Sequence, residues 1–366
     1  MPTFYDNWLG MWDKAEKERA EARLSIHEED IEWVETQQDY RAGLLAAPET
    51  GFRTWGTITM MSEIEPGHKS GKHKHGEEAI HIVEGTGCTI VNGRRYNWGP
   101  NSTLSIPFGA EHQHFNTGDT KIRMFSAMAP HLEFFAGVAK FVQFENWGKI
   151  DKIPSVPLSA DGFEENGERR ICMTIEQAPW SGAGEGGGGG PTVKLTASQI
   201  ESLRRMDPNK PINQGIQGGM ESMGFDLPVG SHIAPGPQFM GIRKQSNGFK
   251  AREMEISGVL RLYPEEGHGT HAHMEALLYM LEGEGYCLVE GERKVHWKKG
   301  SCIHVQGPQT KHQHWNTSKG YSEMLRIAPG FRYFFEDVAK EEFPYLYFSA
   351  RPALMNQLNQ QLERER

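Results

Sequence analysis

The sequence predicts an all-β protein made of two copies of one antiparallel barrel, with helices only at the periphery. Three observations carry that prediction: an internal repeat with a period near 200 residues, short Val-, Ile-, Tyr- and Phe-rich segments cut by turn residues, and a doubled set of closely spaced histidines. HKHGEEAIHIVEG at 73–85 answers to HAHMEALLYMLEG at 271–283, an offset of 198 residues. EHQHFNT at 111–117 answers to KHQHWNT at 311–317, and Phe134–Lys140 to Phe334–Lys340, both at an offset of 200. A period this long lies far outside solenoid repeats and marks duplication of a whole globular domain.

The elements follow in chain order. Residues 7–24 place Trp8, Met11, Trp12 and Ala15 on one helical face ahead of a charged run, which predicts an N-terminal helix docked by its aromatic end. With the residues up to 45 it forms an arm, and the first barrel spans 46–147. Val91-Asn92-Gly93 and Val289-Glu290-Gly291 are hairpin signals in corresponding places of the two copies. Helices are expected at Leu132–Lys140, at Phe334–Lys340 and over the C-terminal stretch 351–366. Between the copies, 148–219 reads as a linker containing the run Gly186 to Gly190, which favours a flexible loop. No Lys-Ser/Thr follows that run, so it is not a phosphate loop. The second barrel is expected over 220–350.

Composition narrows the function. The 366 residues hold 39 basic and 48 acidic side chains, a net charge of −9, which argues against a nucleic-acid partner. No window approaches the ~18 apolar residues of a membrane span, and the N-terminus lacks the flank and apolar core of a secretory signal. A soluble, cytoplasmic protein is expected. Four cysteines in no CxxC pair point to reduced thiols. Sixteen histidines are the unusual count, and they gather in the repeat.

Successive side chains on a strand point to opposite faces, so His73 and His75 project together, as do His271 and His273. His112 and His312, each after a Pro/Gly turn, are placed to supply a third imidazole from another strand. Three neutral imidazoles leave coordination positions open for substrate and dioxygen, an arrangement suited to non-haem Fe(II). A single His-x-His pair occurs on surface strands by chance; the doubled set at matching spacing is what gives it weight. His114 and His314 lie two residues past the third ligand on the same strand face. They are candidates for contacting substrate, with a hydrogen-bonded barrel histidine as the alternative. Trp98, Trp297, Phe115 and Trp315 read as packing, and Lys72 and Lys74 as solvated.

These motifs resemble the cupin superfamily: Gly67, His73-Lys-His75, Glu78 and Gly85 follow its first motif, and Pro107-Phe-Gly109-Ala-Glu-His112 running to Asn116 follows its second. The second copy keeps Gly283, His312 and Asn316. The resemblance implies a double-stranded β-helix, or jelly-roll, for each copy, with metal in the barrel mouth. Among two-barrel cupins the chain is most similar to the gentisate and salicylate 1,2-dioxygenase group, which ends its second motif in His-x-His-x-Asn and replaces the usual glutamate where Ala276 stands. That group holds the substrate carboxylate with an arginine five residues before the closing glycine. Here those positions are Ile80 and Leu278.

Both copies are one residue shorter than the usual cupin between His-x-His and the closing glycine, so two registers compete. One points Glu77, His81, Glu275 and Tyr279 inward. The other, which we favour, points Glu78, Ile80, Ile82, Ala276, Leu278 and Met280 inward, makes Glu78 a candidate fourth ligand, and leaves Glu77 and Glu275 as solvated loop residues. The expected activity is ring cleavage of an aromatic diol or hydroxy acid by dioxygen at Fe(II), with the N-terminal copy, whose second motif is the more complete, as the active one. Glu78 favours a rival, a Mn(II)- or Fe(II)-dependent decarboxylase of a small acid. A non-enzymatic metal-binding bicupin is the third reading. Association into a homodimer or larger oligomer is expected through the N-terminal and C-terminal helices.

Overall fold

The computed structural model describes residues 2–138, 140–177, 180–181, 238–241, 248–262, 264–265, 267, 271–273, 275–307, 310–329 and 345–348. The Gly186–Gly190 run, the start of the second barrel near Met220 and the helices expected at Phe334–Lys340 and 351–366 lie outside these residues.

Each copy folds as two antiparallel sheets. In the first barrel one sheet runs Cys172–Met173, Thr103–Ile106, Glu78–Glu84, Ile122–Met128, Ile58–Ile64 and Arg41–Leu44. The facing sheet centres on His112–Asn116, flanked by Lys72–Lys74 and Gly87–Val91. The second barrel repeats this plan, with Ser301–Val305, Ala276–Glu282, Ser322–Pro329 and Met254–Leu262 adjacent in one sheet and His312–Asn316 central in the other. The hairpin signals form turns: Asn92 and Gly93 take φ 46° and 76°, and Glu290 and Gly291 take 51° and 77°. Val91 pairs with Arg94, but Val289 pairs with Arg293. One of the two residues by which the repeat offset grows is therefore Glu292, in the second hairpin.

The favoured register is the one observed. Ile80 and Ile82 join Tyr96, Trp98 and Leu104 in the core of the first barrel, while Leu278 and Met280 join Trp297 and Ile303 in that of the second. The opposite faces are not solvated. Ala79, Phe125 and Ala127 pack against Leu277, Tyr279, Leu325 and Ile327 in a third core between the barrels, where the Phe125 and Tyr279 rings stack at 4.8 Å.

That packing corrects the expectation for Glu77 and Glu275, both buried. Glu77 Oε2 accepts from the backbone amides of Arg252 at 2.6 Å, Glu253, and Met254 at 3.2 Å. Glu275 accepts from the Trp55 amide at 3.0 and 3.2 Å and lies 2.6 Å from His304 Nε2. Trp55 and Glu253 differ by the repeat offset, so the two glutamates are reciprocal pins across a pseudo-two-fold axis. A carboxylate leaves water here because backbone N–H groups of the other barrel replace its hydration. The approach segments cross over in the same sense: Ser25–His27 adds a strand to the second barrel at Ser301–Ile303, and Cys172–Met173 adds one to the first at Thr103–Leu104.

Two helical expectations are also corrected. The N-terminal helix, Phe4–Glu21, starts at a capping box between Thr3 and Asp6, but buries no residue. Its aromatic end, including Trp8, Met11 and Trp12, is exposed rather than docked. Helical periodicity marks a face that can be covered; it does not supply the cover. The second helix is Pro130–Phe135, shorter than the expected Leu132–Lys140, because Gly137 turns into the left-handed region at φ 69°. Among the described residues no helix is long and apolar enough to cross a membrane.

Candidate metal centre

Strand Lys72–Lys74 alternates, so His73 turns into the first barrel while its neighbours turn out. Lys72 reaches Glu111 at 2.6 Å, and Lys74 lies over the Phe144 ring. His75 follows the strand; its carbonyl accepts from the Gly109 amide at 2.7 Å, tying the first motif to the Pro107–Gly109 turn. His112 opens the next strand directly across from His73. The three rings lie 4.1 to 5.0 Å apart between centroids, all buried, with one nitrogen of each within 4.8 Å of the others.

Backbone carbonyls set the tautomers. His75 Nδ1 lies 3.0 Å from the Gly76 carbonyl and His112 Nδ1 2.9 Å from that of Ala110. A carbonyl only accepts, so each Nδ1 carries the proton and each Nε2 turns a lone pair inward. Both Nε2 atoms, and Nδ1 of His73, are buried without a hydrogen-bond partner. Burial, reinforced by the neighbouring histidines, pushes the His73 imidazolium far below its ordinary range, so the ring is neutral.

Glu78 begins the strand Glu78–Glu84, and its Oε2 stands 3.5 Å from His75 Nε2 and 3.6 Å from His112 Nε2. Metal bonds of about 2.1 Å set adjacent donor atoms about 3 Å apart, close to these separations. Three neutral imidazoles with orphaned lone pairs and one carboxylate fit a divalent transition ion such as Fe(II) or Mn(II).

His114 comes to the same place, within 4.8 Å of Glu78 and His112 through its ligating atom. Thr89, opposite it on the neighbouring strand, has its Oγ1 2.8 Å from His114 Nδ1 and accepts from Trp98 Nε1 at 2.9 Å. The threonine oxygen keeps a second lone pair, so His114 Nδ1 either donates to it or accepts from it; in the accepting tautomer the His114 proton stands on Nε2. Burial and His112 lower the pKa of His114 to about 3, so it is a neutral donor. Sequence reasoning missed Thr89, whose only signal is its place opposite His114 once the hairpin is paired. It also missed Phe141, stacked on His75 at 5.1 Å and itself 5.9 Å from Phe134 at the rim.

The second barrel repeats the backbone of this site. His271 registers across from His312, and His312 Nδ1 lies 3.0 Å from the Thr310 carbonyl. His314 is buried 5.2 Å from His312 between ring centroids. The side chains of His271 and His273 lie outside the described residues. Ala276 takes the place of Glu78, and Cys287 stands opposite His314 where Thr89 stands opposite His114.

Known proteins share this architecture. Residues 60–128 match the family model described as Cupin domain. 5-Aminosalicylate 1,2-dioxygenase of a Comamonas species is 34% identical over 64 residues, 17% of this chain and 17% of that relative's own length. The salicylate 1,2-dioxygenase of Pseudoaminobacter salicylatoxidans, solved as a variant in complex with gentisate, superposes with a TM-score of 0.56 at 14% identity, over 91% of this chain and 82% of that one. An oxalate decarboxylase superposes at 0.54 with 12% identity, over 84% of this chain and 77% of that one. At such identities the likenesses to solved structures establish the fold alone.

Proposed function

We propose that this two-barrel cupin is a non-haem iron(II) dioxygenase that cleaves the ring of an aromatic diol or hydroxy acid at the first barrel. The observation that carries this reading is the convergence of His73, His75 and His112 on one buried point with their unpartnered nitrogens inward. The names of the similar dioxygenases support the same class.

Fe(II), held by the three histidines with Glu78 beside them, would supply Lewis acidity and access to dioxygen chemistry. The chain's own groups do the rest. The carbonyls of Gly76 and Ala110 keep two imidazoles in the ligating tautomer. His114, held in place by Thr89, offers an Nε2–H donor to a substrate oxygen in the tautomer whose Nδ1 accepts from the threonine; as a neutral ring it orients that oxygen rather than protonating it. Phe141 and Phe134 form an apolar rim on which an aromatic ring can lie and which reduces water access.

The test is oxygen uptake by protein reconstituted anaerobically with Fe(II), across a panel of hydroxybenzoates and diols. Consumption of one dioxygen per aromatic lost, with loss of ring absorbance, is the expected result. Glu78, buried among the histidines, favours a second reading: a Mn(II)-dependent decarboxylase of a small acid. Release of carbon dioxide from such an acid, with no uptake on any aromatic, would replace the first reading by the second.

A further inference from the structure

The interior of the second barrel carries a charged side chain that has no counterpart in the first. Along strand Ser322–Pro329, Leu325 and Ile327 pack into the core between the barrels, while Met324 packs into the second barrel's own core. Arg326, two residues past Met324, therefore shares the inward face. Register agrees: Arg326 stands directly across from Leu278, a member of that interior core, and on its other side from Gly258. Opposed residues of an antiparallel pair lie on one face. Gly258, at φ 148°, adopts a conformation open to few other residues and sets no side chain beside the arginine. The pairing shifts by one residue between Ile256 and Gly258, whereas the corresponding strands of the first barrel, Ile58–Ile64 and Ile122–Met128, pair without interruption. A bulge of this kind re-aims side chains at sites. Arg326 is part-buried, with Nη2 out of contact with solvent.

At the matching places of the first barrel, Ile80 faces Ser126. Two exchanges thus act in the same electrostatic direction: Ser126 becomes Arg326, and Glu78 becomes Ala276, one inward rung, about 7 Å, nearer the histidine end than Leu278. Arginine presents a fork that matches a carboxylate in two parallel hydrogen bonds. The neighbouring wall is apolar, from Leu278, Met280 and Val305, and His312 and His314 are buried in the same barrel.

We propose that the second barrel binds a small organic carboxylate through Arg326, with its hydrocarbon part against that wall. This inference does not depend on the ring-cleavage reading, since the binding is measured without turnover.

The test is titration of metal-free full-length protein with salicylate, followed by its fluorescence, beside the neutral isostere salicyl alcohol. Wild type should bind salicylate at least tenfold more tightly than the alcohol. Arg326→Gln should remove that preference, Arg326→Lys should keep part of it, and Ser126→Ala should leave it unchanged. Leu278→Glu, which sets a carboxylate across from the guanidinium, gives a second route and should abolish salicylate binding. Arg326→Gln or Leu278→Glu that stays folded and binds salicylate like wild type would overturn the proposal. So would an Arg326→Gln that loses only thermal stability, because the arginine would then be a structural group. Absence of oxygen uptake would leave this result standing, so the two readings fail separately.

Discussion

The two barrels share a backbone plan and differ in what lines it. Both set a motif-two histidine across from the first histidine of His-x-His, and both hold that histidine's Nδ1 with the carbonyl two residues before it. Around this frame the first barrel places Glu78, Thr89 and Ser126, and the second places Ala276, Cys287 and Arg326. Trp98 donates to Thr89, but its counterpart Trp297 has no hydrogen-bond partner for Nε1 among the described residues. Duplication preserved the groups that the barrel geometry demands and released the groups that decide charge and hydrogen bonding inside it. Residues that repeat therefore report the architecture and the shared histidine set, whereas what distinguishes the two barrels chemically is carried by residues that do not.

The sharpest way to break this comparison is to remove the same ligand from each copy. His75→Ala should lower oxygen uptake by about 1,000-fold or more and reduce bound iron, since no other side chain fills the vacated position. His273→Ala should keep a substantial fraction of the uptake. Steady-state rates with metal analysis of both variants decide it, and the reverse pattern would move the chemistry to the second barrel.

The pins between the barrels form a second contrast. Glu77→Ala strands three backbone amides and should cost about 3–5 kcal/mol, while Glu275→Ala strands one amide and His304 and should cost about 2–4 kcal/mol. Denaturant unfolding measures both; a loss under about 1 kcal/mol in either would mean that the carboxylate is not a pin.

These glutamates also show where the sequence stops being legible. The histidine motifs, the Asn92-Gly93 turn and the inward set Ile80 and Ile82 are local patterns, and each carries its own signal. Glu77 reads as a solvated acid because its partners stand 175 to 177 residues away in the chain. Only the apposition of two sheets buries it, and no local periodicity reports that. Arg326 is hidden differently. In the run Ser322–Pro329 an arginine fits either face, and the face is settled by cross-strand register with Leu278. The site histidines could be grouped from sequence because motif spacing fixes them; Thr89 could not, because its role depends on which residue the hairpin sets opposite His114.

A smaller effect is expected from exchanging that pair of residues. Thr89→Val removes the acceptor of Trp98 and the hydrogen-bond partner of His114 Nδ1, freeing the ring to change orientation or tautomer. It should lower kcat about tenfold with KM nearly unchanged and cost about 1–2 kcal/mol of stability. Cys287→Thr should stabilise the second barrel by up to about 1 kcal/mol by giving Trp297 an acceptor. Equal kinetics for Thr89→Val and wild type would show that His114 is held by packing alone.

The smallest effect separates the two pins by pH. Glu275 is matched by an imidazole, whereas Glu77 is crowded by acids: Glu133 is seated so closely on Gly76 that a Cβ there would fall 1.7 Å from its Oε1. Burial, then a hydrogen bond and like charge from Glu253, and the charge of Glu77, raise the Glu133 carboxyl from 4.5 to about 8. A raised carboxyl binds more protons folded than unfolded over that interval. Its contribution to stability is therefore complete below about pH 4.5 and is lost as pH rises through about 8. Glu133→Gln keeps a neutral, hydrogen-bonding side chain at every pH, so its Tm relative to wild type should climb by a few degrees between pH 5 and 9. Glu165→Gln, at an exposed carboxylate outside this cluster, is the control and should show no such climb. A Tm difference for Glu133→Gln that stays constant with pH would mean that the acids around Glu77 do not share a proton, and that the two pins differ only in their hydrogen-bond partners.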